Sequence, residues 1–364
     1  MNKDYLIMTP GPTEINQSVL DAMATKGTNP DLDKDFFEVY KDTVTSYNKL
    51  IAAKKARSMF LAGEGILGLE AACASLIEEG DKVLCIANGV FGEGFKGFVE
   101  MYGGQAIMLL SDWDIGINIS NIEKALEIHK GIKLATLIHC ETPSAITNDI
   151  DLICRYLNSK GILSIVDSVS AIGGEKVTFD DSKIDVLLGG SQKCLSSPAG
   201  MTMVTLSQRS INHMKNRSTP IRGYYLNLMI WEDWYDKKWF PYTQPLQNIL
   251  GLKQSIENTL KIDFASEHKK YGEYVREHFL SNGYELYAKS DYSNTVTAVK
   301  LPPNVKFDNL FDIMKEKHGI LIGGGIGQLK DKVFRIGHMG ENNKRENFDR
   351  TFEALSKSFK ELIQ

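Results

Sequence analysis

The sequence predicts an α/β fold with a mostly parallel seven-stranded sheet in a large domain and a smaller α/β domain at the C-terminal end. Between about residues 50 and 210, apolar segments of strand length alternate with segments of helical periodicity. That alternation is typical of βαβ units around a parallel sheet. The length of 364 residues exceeds the size at which one hydrophobic core usually stops growing, so a second domain is expected.

Seven strands are predicted in the first part of the chain from short apolar runs bounded by polar residues and glycines. They are expected at residues 58–61, 82–87, 105–110, 135–139, 163–166, 186–188 and 201–206. Helical segments separate most of these strands, at 67–79, 122–129 and 150–159. Each helical segment is followed by a glycine that can adopt the left-handed conformation in which helices commonly end.

The remainder of the chain is more varied. Residues 211–244 are rich in aromatic side chains, which indicates either a core patch or a subunit interface. One long helix is predicted over about 246–279, followed by a strand at 295–301, a helix at 310–317, two further strands and a final helix with one apolar stripe. The predicted large domain covers residues 15–260, and the predicted small domain combines 1–14 with 261–364.

Composition narrows the class of protein. The formal net charge is −4, with 43% hydrophobic and 24% charged residues, which is ordinary for a soluble globular protein. Since no dense basic cluster is present, we expect neither nucleic acid nor a membrane surface as a partner. No segment resembles a membrane span or a signal peptide. Five cysteines without a CxxC pair suggest reduced thiols, and a cytoplasmic location is therefore expected.

Two charged residues follow predicted strands. Lys193 lies in the segment "GGSQKCLSSPAG", just after the strand at 186–188, and Asp167 directly follows the strand at 163–166. Taken alone, such a lysine is usually on the surface, and such an aspartate is often a helix or turn cap. Ligands of open α/β sheets bind beyond the carboxyl ends of the strands, where both residues are expected.

A third strand end leads into a helix through Gly63, Glu64 and Gly65. Unpaired N–H groups at such a helix start favour an anion, but the Gly-Lys-Ser/Thr ending of a nucleotide P-loop is absent. An aromatic residue, Phe91, lies after a fourth strand. Together these groups describe a site for pyridoxal 5′-phosphate, with the lysine forming a Schiff base, the aspartate pairing with the ring nitrogen, the helix start binding phosphate and the aromatic ring stacking.

Two other motifs are weaker. The segment "GEGFKG" at 92–97 matches the glycine pattern of dinucleotide sites, but residues 88–91 lengthen the loop where a tight turn is required. His139-Cys140-Glu141 matches the H-x-E of zinc deaminases, although no Pro-Cys-x-x-Cys follows. A structural role is therefore predicted for His139.

The ordered motifs of the chain resemble those of the class V aminotransferases, pyridoxal-phosphate enzymes of fold type I, and within them the alanine–glyoxylate and serine–pyruvate type. The resemblance covers nearly the whole chain, through "TPGPT", "AGEGILGLEAA", "NGVFGEGF", "HCETPSAI", "IVDSVSAIGG", "GGSQKCLSSPAG", "FPYTQP" and "FRIGHMG". It implies a homodimer with active sites at the interface. It also implies a ping-pong transfer of an amino group from a small amino acid, such as alanine or serine, to glyoxylate or pyruvate.

The resemblance also implies residue roles. Lys193 would carry the cofactor and move the substrate proton, and Asp167 would keep the ring nitrogen protonated. The other implied cofactor contacts are Phe91 and Val169 on the two ring faces, Thr142 at the ring 3-hydroxyl, Gln192 and the backbone of Gly65 and Ile66 at the phosphate, and Tyr242 or Thr243 at the partner subunit's phosphate. Arg335 would bind the substrate carboxylate, and the turn containing Gly11 would close over the substrate.

The chain departs from this family pattern in two places. Glu64-Gly65-Ile66 stands where Ser-Gly-Thr is usual, so the hydroxyl contacts to phosphate are missing, and Glu64 is expected to point away. Pro143-Ser144-Ala145 replaces Ser-Thr-Gly, which leaves the contact made by Thr142 open.

Three rival functions share part of this pattern. A 2-aminoethylphosphonate–pyruvate aminotransferase shares the scaffold and chemistry. A cysteine desulfurase needs a nucleophilic cysteine in the C-terminal part, whereas the last cysteine is Cys194, for which a structural role is expected. An inert descendant that only binds the cofactor would not need Lys193, Asp167 and Arg335 together.

Overall fold

The computed structural model describes residues 4–363, and its main sheet has the predicted seven strands. Their order is β2-β10-β9-β8-β5-β3-β4, and only β10 runs antiparallel to its two neighbours. The strands of this sheet are β2 (Arg57–Ala62), β3 (Lys82–Ala87), β4 (Gln105–Leu110), β5 (Ile132–Ile138), β8 (Leu163–Asp167), β9 (Val186–Gly190) and β10 (Met201–Leu206). The predicted mostly parallel sheet is confirmed.

The central strands are buried along their whole length. Every residue of β8, β9 and β10 is inaccessible or nearly so, as expected for a sheet covered by helices on both faces. Asp167 is the last residue of β8, so its carboxylate lies directly at the carboxyl edge of the sheet. A short hairpin, β6 (Cys140–Glu141) and β7 (Ile146–Thr147), follows β5 at the same edge.

Helices surround this sheet, and those that follow β2 and β3 begin at its carboxyl edge. The helices are α1 (Gln17–Met23), α2 (Lys34–Leu50), α3 (Gly65–Leu76), α4 (Val90–Met101), α5 (Ile119–Ile128), α6 (Ile150–Ser159), α7 (Gln208–Lys215) and α8 (Leu246–Leu260). Since α3 follows β2 and α4 follows β3, the N–H groups at both helix starts point toward the region beyond the strands. The dinucleotide-like segment 92–97 lies inside α4.

The aromatic segment 211–244 is partly core and partly surface. Trp231 is inaccessible, and Trp234 and Phe240 pack against Tyr40, with ring centroids 4.7 and 4.9 Å from it. Other aromatic side chains of the segment, including Tyr224, Tyr225 and Trp239, are about half exposed. Part of the segment is therefore a core patch, as one of the two predictions had it. For the exposed part, a subunit interface stays a prediction.

A second sheet has the order β1-β12-β13-β11. Its elements are β1 (Leu6–Met8), β11 (Val296–Lys300), β12 (Ile320–Gly324) and β13 (Val333–Gly337), covered by α9 (Phe264–Ser281), α10 (Phe307–His318) and α11 (Arg345–Ile363). The predicted apolar stripe of the last helix is largely buried, including Phe348 and Phe359. This sheet has its own core cluster, around Phe279 and Phe334.

The prediction of one helix over 246–279 was wrong. The chain forms α8 and α9 with a break at residues 261–263, where the Asp263 side chain accepts the N–H of Ser266 at 3.2 Å and caps the second helix. The domain boundaries stay a prediction, and residues 1–3 and 364 of the predicted small domain lie outside the described residues. None of the helices within 4–363 combines the length and hydropathy that crossing a membrane requires.

Candidate active site

A cavity of about 370 Å³ lies beyond the carboxyl ends of the main sheet. It is bordered by the β2–α3 turn, the first turns of α4, the end of β8 and the loop after β9. Seven of the predicted site residues line it: Gly65, Ile66, Phe91, Asp167, Val169, Gln192 and Lys193. Residues scattered over 129 sequence positions, from 65 to 193, are thus brought together by the parallel topology.

Lys193 lies three residues after β9, and its side chain is partly buried. Its Nζ donates a hydrogen bond to the carbonyl of Pro10 at 2.7 Å. Burial, together with the charge of Arg335, lowers the pKa of this amine. Gly11 has a φ of +86°, and a Cβ there would lie 2.4 Å from Lys193 Cδ, so a glycine is required against the lysine. A desolvated amine of lowered pKa is suited to act as a nucleophile and base.

Asp167 occupies the adjacent strand end. Its Oδ1 accepts the N–H of Val169 at 2.9 Å. Burial raises the pKa of this carboxyl to about 6, against the opposing effects of that hydrogen bond and of the charge of Lys193. A cationic group placed beside the carboxylate would restore its ionised form.

Val169 forms one wall of the cavity, which two glycines accommodate. A Cβ on Gly65 would lie 2.8 Å from Val169 Cγ2, and a Cβ on Gly190 would lie 2.8 Å from Val169 Cγ1. The Phe91 side chain, in the first turn of α4, is 39% exposed and also lines the cavity. The cavity therefore has an apolar wall from the loop after β8 and an aromatic side chain from α4.

The expectation that Glu64 points away was wrong. Glu64 is the N-cap of α3, and its Oε2 accepts the N–H of Ile66 at 3.2 Å. The side chain lines the same cavity as Lys193. With no hydroxyl on residue 66, the carboxylate itself satisfies one of the free N–H groups at the helix start.

Glu141 does not line the cavity but bonds the backbone of Phe91, which does, and sequence reasoning assigned it no role. Its carboxylate is fully buried and accepts the N–H groups of Phe91 at 3.1 Å and Gly92 at 3.0 Å, at the start of α4. Burial raises the pKa of Glu141 to about 7. The position of Glu141 soon after a strand was the sequence signal for a role at this edge of the sheet. The structure also explains the glycine at position 89, because a Cβ there would lie 2.1 Å from Glu141 Cγ.

Arg335 lies on β13 of the second sheet and is 7% exposed. Its Nε donates to the Gly324 carbonyl at 2.7 Å. Burial lowers the pKa of Arg335 to about 10, while the charge of Glu141 opposes that change. The charge of Arg335 also contributes to the lowered pKa of Lys193.

Other predicted residues lie outside the cavity lining. Thr142 is buried in the turn after β6. Tyr242 stacks on Tyr225 with ring centroids 4.4 Å apart, and Thr243 donates to Asp31 Oδ2 at 2.7 Å. The contacts of the latter two with a partner subunit's cofactor stay a prediction.

His139 and Cys194 have structural surroundings. His139 is buried and its Nδ1 lies 2.8 Å from Ser168 Oγ, while burial lowers its pKa to about 4. The thiol of Cys194 is also buried and donates to the Ser170 carbonyl at 3.5 Å. Burial raises the pKa of that thiol, which disfavours the nucleophilic thiolate.

The two ends of the cavity differ in how they suit pyridoxal phosphate. The end with Lys193, Asp167 and Val169 fits the pyridine ring, since it provides an amine, a carboxylate and an apolar wall. At the other end, the Gln192 Oε1 atom is buried without a hydrogen-bond partner among the described residues, which indicates a missing polar ligand group. Glu64 also lies at that end, on the N-terminus of α3.

Comparisons with known proteins agree with this arrangement. The family model described as aminotransferase class-V matches residues 5–336. A pyridoxamine–pyruvate transaminase of Mesorhizobium japonicum is 31% identical over 92% of this chain and 86% of its own. A serine–glyoxylate aminotransferase of Methylorubrum extorquens is 30% identical, over 93% and 87% respectively.

Solved structures show the same fold. The ureidoglycine–glyoxylate aminotransferase of Bacillus subtilis superposes with a TM-score of 0.96 at 27% identity, covering 100% of this chain and 95% of that one. Its likeness extends over both sheets, because the whole chain is covered. The chain therefore belongs to the class-V aminotransferases, a family of pyridoxal-phosphate-dependent transaminases of fold type I.

Proposed function

We propose that the protein transfers an amino group between a small amino acid, such as alanine or serine, and glyoxylate or pyruvate by a ping-pong mechanism. The observation that carries this proposal is the buried amine of Lys193 in one cavity with the Asp167 carboxylate. The relatives support the acceptor, because glyoxylate or pyruvate recurs in their names.

The chain's residues divide the chemistry between them. The bound cofactor supplies an electron-withdrawing ring that stabilises negative charge next to the reacting carbon. Lys193 would hold the cofactor through its amine and, once released, would act as the base that moves a proton at the substrate Cα. Asp167 in its ionised form pairs with the protonated ring nitrogen.

The remaining contacts hold the cofactor in place. Val169 and Phe91 enclose the ring, and Thr142 approaches its 3-hydroxyl. At the opposite end, Gln192, the backbone of Gly65 and Ile66, and the partner subunit's Tyr242 or Thr243 would contact the group carried on the ring's 5′ carbon.

Arg335 and Gly11 serve the amino- and oxo-acid substrates. The guanidinium is buried, with Nε fixed on Gly324, so the planar group is preoriented for a carboxylate. Gly11 brings the Pro10 turn against Lys193 and closes the substrate side of the cavity.

A 2-aminoethylphosphonate donor is not favoured. The relatives named above transfer to glyoxylate or pyruvate, and none carries a phosphonate in its name.

We also propose a cytoplasmic homodimer with active sites at the interface. Ile66 and Phe91 are 46% and 39% exposed at the cavity, which is unusual for apolar side chains at a ligand site unless a second subunit covers them. The five cysteines are free and buried, as expected in a reducing compartment.

The test is a single-turnover assay that follows the visible absorbance of the lysine-bound cofactor. Addition of alanine should remove the band and glyoxylate or pyruvate should restore it. Lys193→Ala should have no such band, while Lys96→Ala, at an exposed helix position paired with Glu100, should keep it. A band that persists in Lys193→Ala would refute the assignment of the lysine.

A further inference from the structure

The N-terminus of α3 already holds an anion that belongs to the chain. Glu64 Oε2 accepts the Ile66 N–H, one of the backbone donors that a bound phosphate would use. The partial positive charge of a helix N-terminus stabilises one nearby negative group. A second anion at the same place would have to compete with this carboxylate.

The charges lining the cavity also disfavour a phosphate. The described lining residues include two carboxylates, Glu64 and Asp167, and one ammonium, Lys193. A phosphate monoester adds a further charge of about −1.5 to −2 at neutral pH. The field of Glu64 already reaches across the cavity, because it contributes to the raised pKa of Asp167.

The same end of the cavity is suited to a neutral hydroxyl. The side chain of Ile66 offers no hydroxyl to a phosphate oxygen, and the buried Gln192 Oε1 lacks a donor. A Cβ on Gly65 or on Gly190 would lie 2.8 Å from Val169, and one on Gly190 would also lie 3.1 Å from Gln192 Oε1. The start of α3 and the Gln192 amide therefore both lie next to Val169. A hydroxymethyl group can donate to a carboxylate or to an amide oxygen, whereas a fully ionised phosphate cannot.

We propose that Glu64 excludes the 5′-phosphate and that the cavity takes the unphosphorylated compounds pyridoxamine and pyridoxal as exchangeable substrates. This proposal rests on the proposed amino transfer to a small 2-oxo acid. According to this proposal, the chain differs from its family in the residues that would contact the phosphate and keeps those that would contact the pyridine ring.

The reaction balances without any further reactant. The C–N bond at C4′ of pyridoxamine breaks and a C–N bond forms at C2 of the 2-oxo acid. The C4′ carbon is oxidised from amine to aldehyde, and its electron pair reduces C2 to the amino-acid carbon. Lys193 carries the proton from C4′ to C2, and the water released in forming the imine is taken up again in its hydrolysis.

The test compares the dissociation constants of pyridoxal and pyridoxal phosphate, measured by absorbance titration without any amino or oxo acid. The wild-type protein should bind pyridoxal at least about tenfold more tightly, as expected when a desolvated like-charge contact is avoided. Glu64→Gln, which keeps the size and one cap acceptor but removes the charge, should reverse or abolish this preference. Glu64→Ser should do the same and serves as a second variant if one of them fails to fold.

Glu70→Gln is the matched control. Glu70 lies on the same helix, is bonded to the Tyr102 hydroxyl at 2.8 Å and does not line the cavity. Its substitution changes the charge of α3 equally and should leave the preference unchanged. Tighter binding of pyridoxal phosphate by the wild type, or a preference that Glu64→Gln leaves intact, would overturn the proposal.

A second assay separates this proposal from the proposed function. Wild-type protein is incubated with pyruvate and either pyridoxamine or pyridoxamine phosphate, and alanine is measured. Alanine from pyridoxamine alone supports both proposals, and alanine from the phosphorylated compound alone overturns only the exclusion of phosphate. If neither compound yields alanine, and glyoxylate also gives no amino acid, the amino transfer itself is refuted while the titration still decides the role of Glu64.

Discussion

Helices α3 and α4 begin at the same edge of the main sheet, and a glutamate of the chain caps each of them. Glu64 caps α3 from two residues before its N–H partner and is exposed in the single chain. Glu141 caps α4 from about 50 residues away, is fully buried and accepts two N–H groups. A glutamate therefore caps a helix start twice at the same edge of the sheet, once in an exposed and once in a buried environment.

The two glutamates differ in burial, and this difference separates a carboxylate that stabilises the fold from one that a ligand can meet. The pKa of Glu141 is raised to about 7 by burial, and its hydrogen bonds to Phe91 and Gly92 hold the start of α4. Glu64 faces the cavity, where an incoming group meets its charge directly. We therefore expect changes at the α4 start to affect mainly stability, and changes at the α3 start to affect mainly ligand choice.

The largest effect should come from Gly89→Ala at the start of α4. Gly89 has an extended backbone that any residue can adopt, so strain does not arise there. The added Cβ would, however, lie 2.1 Å from Glu141 Cγ and 2.3 Å from its Cδ, and the buried carboxylate would have to move. We expect a loss of about 3 kcal/mol in the free energy of unfolding, measured by urea denaturation.

Gly97→Ala is the control on the same helix. A Cβ at Gly97 would have no neighbour within 4 Å, so replacing this helical glycine should raise stability by about 0.5–1 kcal/mol. If both alanine variants behaved alike, the packing of Glu141 against Gly89 would not be important for stability.

The next effect concerns the pH dependence of stability in Glu141→Gln. A carboxyl with a pKa of about 7 when folded and 4.5 when unfolded keeps its proton longer in the folded state. The wild type therefore loses stability as the pH rises from 4.5 to 7, by about 3 kcal/mol at about 1.4 kcal/mol per pH unit. The variant has no such titration, so its stability relative to wild type should increase by about 2 kcal/mol between pH 5 and pH 7.

The measurement is a set of urea denaturation curves at several pH values for both proteins. The amide can accept only one of the two N–H bonds well, so a lower absolute stability of the variant is expected at pH 5. The informative quantity is how the difference in unfolding free energy between the variant and the wild type changes with pH. A constant difference would mean that Glu141 is ionised in the folded protein throughout this range.

The sequence predicted the main sheet well because its strands are short, continuous apolar runs separated by helices that end at glycines. The break between α8 and α9 was missed because residues 261–263 contain neither glycine nor proline, and the only signal was Asp263, three residues before its N–H partner Ser266. Local patterns thus locate strands more reliably than a short break between two polar helices.

At the site, the sequence predicted residues that follow strands, such as Lys193 and Asp167, because the parallel topology brings strand ends together. It could not predict the hydrogen bonds of Glu141, because the N–H partners lie about 50 positions away and depend on how α4 begins. The orientation of Glu64 was misjudged by comparison with a hydroxyl-containing pattern. The cap signal was local, since an acceptor directly before a helix can bond its first N–H groups.

The smallest effect on stability should come from Glu64→Ala at the start of α3. Removing an exposed cap that accepts one N–H at 3.2 Å should cost about 0.5–1 kcal/mol in urea denaturation at pH 7. Water can replace the lost acceptor at this exposed helix start, as it cannot beside the buried Glu141. A loss as large as that in Gly89→Ala would make Glu64 a structural residue, and its variants could not then isolate ligand choice. If the loss of unfolding free energy is small, the Glu64 variants keep their fold. A change in their preference between pyridoxal and pyridoxal phosphate can then be assigned to the missing carboxylate.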